Sequence, residues 1–205
     1  MRPLLNPAPP WSLERSACVI LWHGCMESDR VNIEANGIDP TLGRVNADFG
    51  RGFYTTTVER QARQWAWQRL LLWQENPTDV AFRNRPVVLR FRVPRYGRKG
   101  RLRGLDRLSS LHFVLGKNDN DDYWSFVQHC RQSTSESIHT HGRPPKGWYD
   151  MVAGPVAAFW QQRVTMEGAD QVSFHTLNGT AILNELIEIS RNGPTNDYSW
   201  DSVLF

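Results

Sequence analysis

The sequence predicts an α+β fold, on three observations. Strand-like segments outnumber helical ones and do not alternate with them, which argues against a parallel doubly wound sheet. Neither a GxGxxG nor a GxxxxGKS run is present, so neither common phosphate-cradling loop is available. A chain of 205 residues with 40% apolar and 22% charged side chains suits one core that needs no staples.

Residues 1–15 are rich in proline and read as an extended arm; residues 16–205 read as a single domain. Cys18–Trp22 is a short, nearly continuous apolar run that fits a buried strand. Val31–Gly37 is polar, ends on glycine and fits one or two helical turns. Asp48–Thr57 opens with a glycine-rich turn and becomes β-branched and aromatic, the pattern of a turn followed by a strand. Val58–Gln74 has neither proline nor glycine, gathers Ala62, Trp65, Ala66, Arg69 and Leu70 on one face, and stops at Asn76-Pro77, as a helix does. Val87–Val93 alternates, with Arg90 and Arg92 opposite its apolar face: a half-buried strand. Asp122–Arg131 reads as a short helix and Ser133–Gly147 as a loop. Tyr149–Ala153 and Val172–Thr176 read as strands, the first closed by Gly154-Pro155, and Ala181–Ser190 as a closing helix.

No apolar run reaches the roughly 18 residues that cross a bilayer, and the N-terminus carries neither signal-peptide nor anchor features. The expected compartment is the cytoplasm, with secretion lacking a cleaved signal as the exception. Cys18, Cys25 and Cys130 are odd in number and irregularly spaced, so reduced thiols are expected. His139 and His141 have no acid or cysteine at ligand spacing, and Asn118–Asp122 lacks the spacing of a calcium loop, so no metal is expected. Charge is blocky. The net +3 conceals nine arginines and Lys99 against Asp106 between Arg83 and Arg107, which leaves the rest of the chain at −6. Such a block suits nucleic acid or an acidic protein as a partner, or a solvated basic face.

Two segments carry candidate chemistry. In Leu21-Trp22-His23-Gly24-Cys25 an imidazole at the end of an apolar strand sits beside a glycine that lets a ligand approach the main chain. In Asp48-Phe49-Gly50-Arg51-Gly52-Phe53-Tyr54 two glycines flank an arginine and a tyrosine opens a strand. Taken singly, each also fits a structural role.

Together these segments resemble the catalytic core of the ADP-ribosyltransferases with a His-Tyr-Glu triad, the branch of poly-ADP-ribose polymerases and diphtheria toxin. They are similar above all to DUF3990, a bacterial family of uncharacterised proteins usually placed there. The helix ERQARQWA, Trp124–Val127, Tyr149–Ala157 and Gln171–Thr176 extend the resemblance over residues 18–185. It implies a split β-sandwich of two small antiparallel sheets with flanking helices, and NAD as co-substrate. His23 would bond the adenosine ribose and the main chain of Gly24 the nicotinamide carboxamide. Tyr54 would lie against the nicotinamide ring and Trp65, eleven residues on, against its other face. Residues 39–49 would form the donor loop, with Phe49 and Gly50 at the cofactor. The third triad residue falls on Gln171, a departure from Glu: an amide can bond the ribose 2′-OH but brings no charge and cannot act as a base. Poly-ADP-ribose synthesis is therefore not expected. Asp150 is the best acid to fill the remaining role, although it also fits a loop cap; Asp170 points to the other face and His175 is expected to be packed. The implied activity is mono-ADP-ribosyl transfer to a macromolecule, of the kind found in bacterial toxins, effectors and defence proteins. The alternatives are NAD hydrolysis and a non-catalytic NAD- or ADP-ribose-binding module.

Overall fold

The computed structural model describes residues 17–74, 85–97, 104–113, 121–132, 149–184 and 187–190. The N-terminal arm, the arginines at 98, 101 and 103, the His139–His141 loop and most of the Asn118–Asp122 run lie outside them.

The described residues form two small sheets and four α-helices. The chain runs through β1 (Cys18–Met26), α1 (Glu27–Asn36), β2 (Phe53–Thr55), α2 (Glu59–Gln74), β3 (Pro86–Pro94), β4 (Ser110–His112) and α3 (Asp121–Gln132). It ends in β5 (Met151–Phe159), β6 (Val164–Phe174), α4 (Leu177–Asn184) and β7 (Ile187–Ser190). One sheet has the order β1-β3-β7, the other β2-β6-β5-β4. Every ladder is antiparallel except β4–β5.

Period-two patterning explains the core. Val19, Leu21 and Cys25 of β1 and Leu89, Phe91 and Val93 of β3 share one cluster with Phe53, Met151, Ala153, Val172 and Phe174 from the other sheet, closed by Ile182 and Leu183 of α4. The opposite face of the second sheet packs on α3 through Phe49, Leu111, Phe113, Tyr123, Phe126 and Val152. The opposite face of the first sheet takes α2 through Ala62, Ala66 and Val88.

Several expected boundaries move, and α1 begins at Glu27, four residues before the expected helix. β1 does not stop at Trp22 but continues through His23 and Gly24, because β3 pairs with it as far as Met26↔Pro86. β5 passes through Gly154-Pro155 rather than ending there. β4 reaches only Ala153, so among the described residues Pro155 meets no strand on that side that would need its N–H. β6 begins at Val164, eight residues before the expected start. The closing segment is not one helix: α4 ends at Asn184 and β7 then adds to β3, Leu89 opposite Ile189. The Leu/Ile spacing of that segment fits either period.

Gly24 is a packing requirement as well as a candidate contact. A Cβ there would lie 2.0 Å from the carbonyl oxygen of Ala62 on α2. Gly24→Ala is therefore expected to push α2 off the sheet and cost about 2 kcal/mol, read as a fall in thermal midpoint with no ligand present. An unchanged midpoint would show that α2 yields at no cost.

Candidate functional site

The two sheets meet through one backbone bridge. Trp22 and Thr56 exchange N–H···O bonds of 2.8 and 2.9 Å, and the bridge is isolated. Main-chain groups alternate sides along an antiparallel strand, so Gly24 turns its N–H and C=O the same way as Trp22, away from β3. Among the described residues no further bridge to β2 follows, so Gly24 turns these groups to the side on which β1 and β2 part.

His23 spans that opening. Its Nδ1 lies 2.6 Å from the carbonyl oxygen of Tyr54, and its ring stacks at 4.2 Å on Phe53. A carbonyl only accepts, so Nδ1 carries the proton and Nε2 of the neutral ring is the acceptor. Burial drives the His23 pKa down to about 4, against a smaller upward pull from the Tyr54 carbonyl.

Tyr54 closes the turn that precedes it. Its hydroxyl donates to the Gly50 carbonyl at 2.6 Å and accepts the Phe49 N–H at 3.0 Å. Burial pushes its phenol well above the usual range. Gly50 sits at φ 82, a conformation that favours glycine. Phe49 needs correcting: its ring is fully buried among Phe113, Tyr123 and Phe126, so only its main chain can belong to a site. Trp65 stands half exposed on α2, and the ring beside Tyr54 is that of His175 at 6.3 Å. No stacked Tyr54–Trp65 pair is preformed.

Tyr54 is opposite Ser173 in the β2–β6 ladder, and Gln171 lies two residues along, so Tyr54 and Gln171 share a face. Gln171 is buried. Its Nε2 donates to Asp48 Oδ2 at 2.7 Å and to the Pro155 carbonyl at 2.8 Å. Asp48, buried too, also accepts the Ala157 N–H at 2.8 Å and Nε of Arg131 at 2.7 Å. Sequence reasoning saw Asp48 only as the start of a turn; nothing local marks its partners 83 to 123 residues away.

Asp150 is not part of this group. It stands four residues before Gly154, the ladder partner of Gln171, or about 13 Å along β5. Its carboxylate accepts the Ser109 N–H at 2.9 Å, Asn178 Nδ2 at 3.2 Å and the Thr176 hydroxyl, the bonds of a loop cap. The expected acid at the reaction centre is therefore corrected to a structural one. Asp170 anchors the start of α2, accepting the Thr57 N–H at 2.8 Å and both neighbouring threonine hydroxyls. His175 is packed, its Nδ1 2.7 Å from the Arg51 carbonyl and its Nε2 2.7 Å from Ser173 Oγ.

On β3, Arg90 lies over the Trp22 ring at 5.6 Å and Arg92 is exposed. Asp121 pairs with Arg163 at 2.9 Å. Among the described residues no three His, Cys, Asp or Glu groups could hold a metal, and no helix is long and apolar enough to cross a membrane.

Residues 19–162 match the model of a family described as protein of unknown function, DUF3990. The match takes in His23, Gly24, Tyr54 and Trp65 and stops short of Gln171. No curated protein and no solved structure matches the chain.

The two depressed histidines set an acid limit. Burial holds His112 at about 4, as it does His23. Unfolded histidines bind protons near pH 6.5, so the contribution of each neutral ring is full above that pH and is lost as pH falls toward 4. For His23 the loss is up to about 3 kcal/mol. Thermal midpoints should fall between pH 6.5 and 4, and less steeply in His23→Asn; parallel curves for the two proteins would contradict this.

Proposed function

The chain belongs to the DUF3990 family, and from that membership and the site we propose that it is a mono-ADP-ribosyltransferase that uses NAD to modify a macromolecule. The observation that carries the reading is the junction of the sheets. A neutral His23 is tied to Tyr54 where β1 and β2 part, beside a glycine whose peptide groups face the opening. Gln171 and Tyr54 share the adjoining face. The finer fold assignment, a split β-sandwich of the ADP-ribosyltransferase kind, belongs to the same proposal.

In this reading the N-glycosidic bond breaks and nicotinamide leaves with the bonding electron pair. A nucleophilic atom of the acceptor then attacks the anomeric carbon of the oxocarbenium-like ribose and sheds its proton. The chain's work is orientation and hydrogen bonding. His23 Nε2 accepts a hydroxyl of the adenosine ribose, and Gly24 pairs with the carboxamide. The Tyr54 ring backs the nicotinamide, and Trp65 covers it if α2 presents it there. Gln171 accepts the 2′-OH of the nicotinamide ribose. Asp150 has no part in this scheme, and the carboxylate beside Gln171, that of Asp48, is buried with both oxygens bonded, so elongation is not supported. The acceptor is nucleic acid or an acidic protein surface drawn to Arg90 and Arg92, and an acidic immunity or antitoxin protein would use the same face. A role as bacterial toxin, effector or defence protein is consistent with such an activity.

The test is adenylate-labelled NAD incubated with the protein and a bacterial lysate. Label is expected on a macromolecule, with release of nicotinamide; free ADP-ribose as the sole labelled product would make it a hydrolase, and intact NAD would overturn the reading. Misaligning the ribose should cost roughly 10²-fold in cleavage, so His23→Ala is expected to lose that much while its circular dichroism stays native.

A further inference from the structure

Gln171 lies where the triad of the proposed family has a carboxylate, and its surroundings explain why a carboxylate would not fit. Two acceptors converge on its side-chain nitrogen: Asp48 Oδ2 at 2.7 Å and the Pro155 carbonyl at 2.8 Å. A glutamate would set an oxygen against both. Asp48 in turn cannot relax away, because the Ala157 N–H and the Arg131 guanidinium hold it in a buried position. The same two acceptors fix the amide's orientation: nitrogen toward Asp48 and Pro155, carbonyl oxygen turned the other way.

We infer that Asp48 is a positioning residue for NAD cleavage: its buried carboxylate locks the Gln171 amide so that the site offers the nicotinamide ribose a neutral, fixed hydrogen-bond acceptor. The inference rests on the proposed activity and deepens it. It makes Gln171 a matched half of an Asp48–Gln171 pair rather than a damaged glutamate. Asn at position 48 replaces one acceptor oxygen with an NH2 donor and leaves the Pro155 carbonyl alone to orient the Gln171 amide, a weaker lock that lets either end turn to the ribose.

The experiment compares kcat/KM for NAD cleavage with that for NAD lacking the 2′-hydroxyl on its nicotinamide ribose. Intrinsic reactivity of the two nucleotides cancels when their ratio is compared between proteins. Gln171→Leu removes the acceptor and should lower the NAD preference roughly five- to tenfold. Asp48→Asn should lower it by a similar factor, and the double variant no further. An unchanged ratio in Asp48→Asn beside a lowered one in Gln171→Leu overturns the inference alone. No cleavage of either nucleotide by the unmodified protein overturns the proposed activity and the inference with it.

Should Asp48→Asn not fold, the unmodified protein still decides. Both side-chain amide protons of Gln171, assigned by their loss in Gln171→Leu, should exchange with solvent at least about tenfold more slowly than those of exposed glutamines, since both are bonded inside the protein. Exchange at the exposed rate overturns the inference.

Discussion

One pair of backbone hydrogen bonds, between Trp22 and Thr56, decides where the candidate site lies. β1 stays paired with β3 along its whole length; past the bridge the groups that Gly24 turns away from β3 meet no strand among the described residues. Two sheets that shared a full edge would be one sheet, and two that shared none would leave His23 and Tyr54 unrelated. A single bridge holds the edges together and lets them diverge. The common apolar core beneath, with Phe53 touching both Phe91 and His23, keeps the divergence from becoming a separation.

The second constraint is a buried charge. Removing Asp48 from water is costly, and its pairing with the partly exposed Arg131 is seldom a net source of stability. Its value here is geometric. A carboxylate with both oxygens bonded can hold Arg131 of α3, the irregular stretch of β5 around Ala157 and the Gln171 amide at once. β5 has a register shift between Pro155 and Ala157, where ladder bonding is interrupted, and a side chain takes over what a neighbouring strand would have done.

Local pattern made α2 legible almost residue for residue, because its run is long and uninterrupted. β3 was legible for the same reason, through its clean alternation. β4 escaped notice: three residues carry no period. β1 looked shorter than it is because glycine and histidine weaken a strand signal that β3 supplies from outside. The candidate site divides in the same way. His23, Gly24 and Tyr54 carry local signals and Gln171 enters only through the family resemblance; the structure ties His23 to the Tyr54 carbonyl and puts Gln171 on the sheet face of the Tyr54 side chain. Phe49 and Asp150 had suitable chemistry but the wrong surroundings, and surroundings are tertiary. Asp48 had no local signal, since what makes it matter is an amide 123 residues further on.

The pairing of β2 also bears on how the protein is made. Its three residues have one ladder partner, β6, and Phe53 lies opposite Phe174. A ribosome that has delivered His23 and Tyr54 has delivered neither the strand that holds Tyr54 in place nor the glutamine beside it. More than a hundred further residues must emerge before that ladder can close, and so distant a pairing is intrinsically slow. Until then the nascent chain carries the residues of the site without its geometry. Whatever chemistry the finished protein performs, it is withheld from the synthesising ribosome by topology alone.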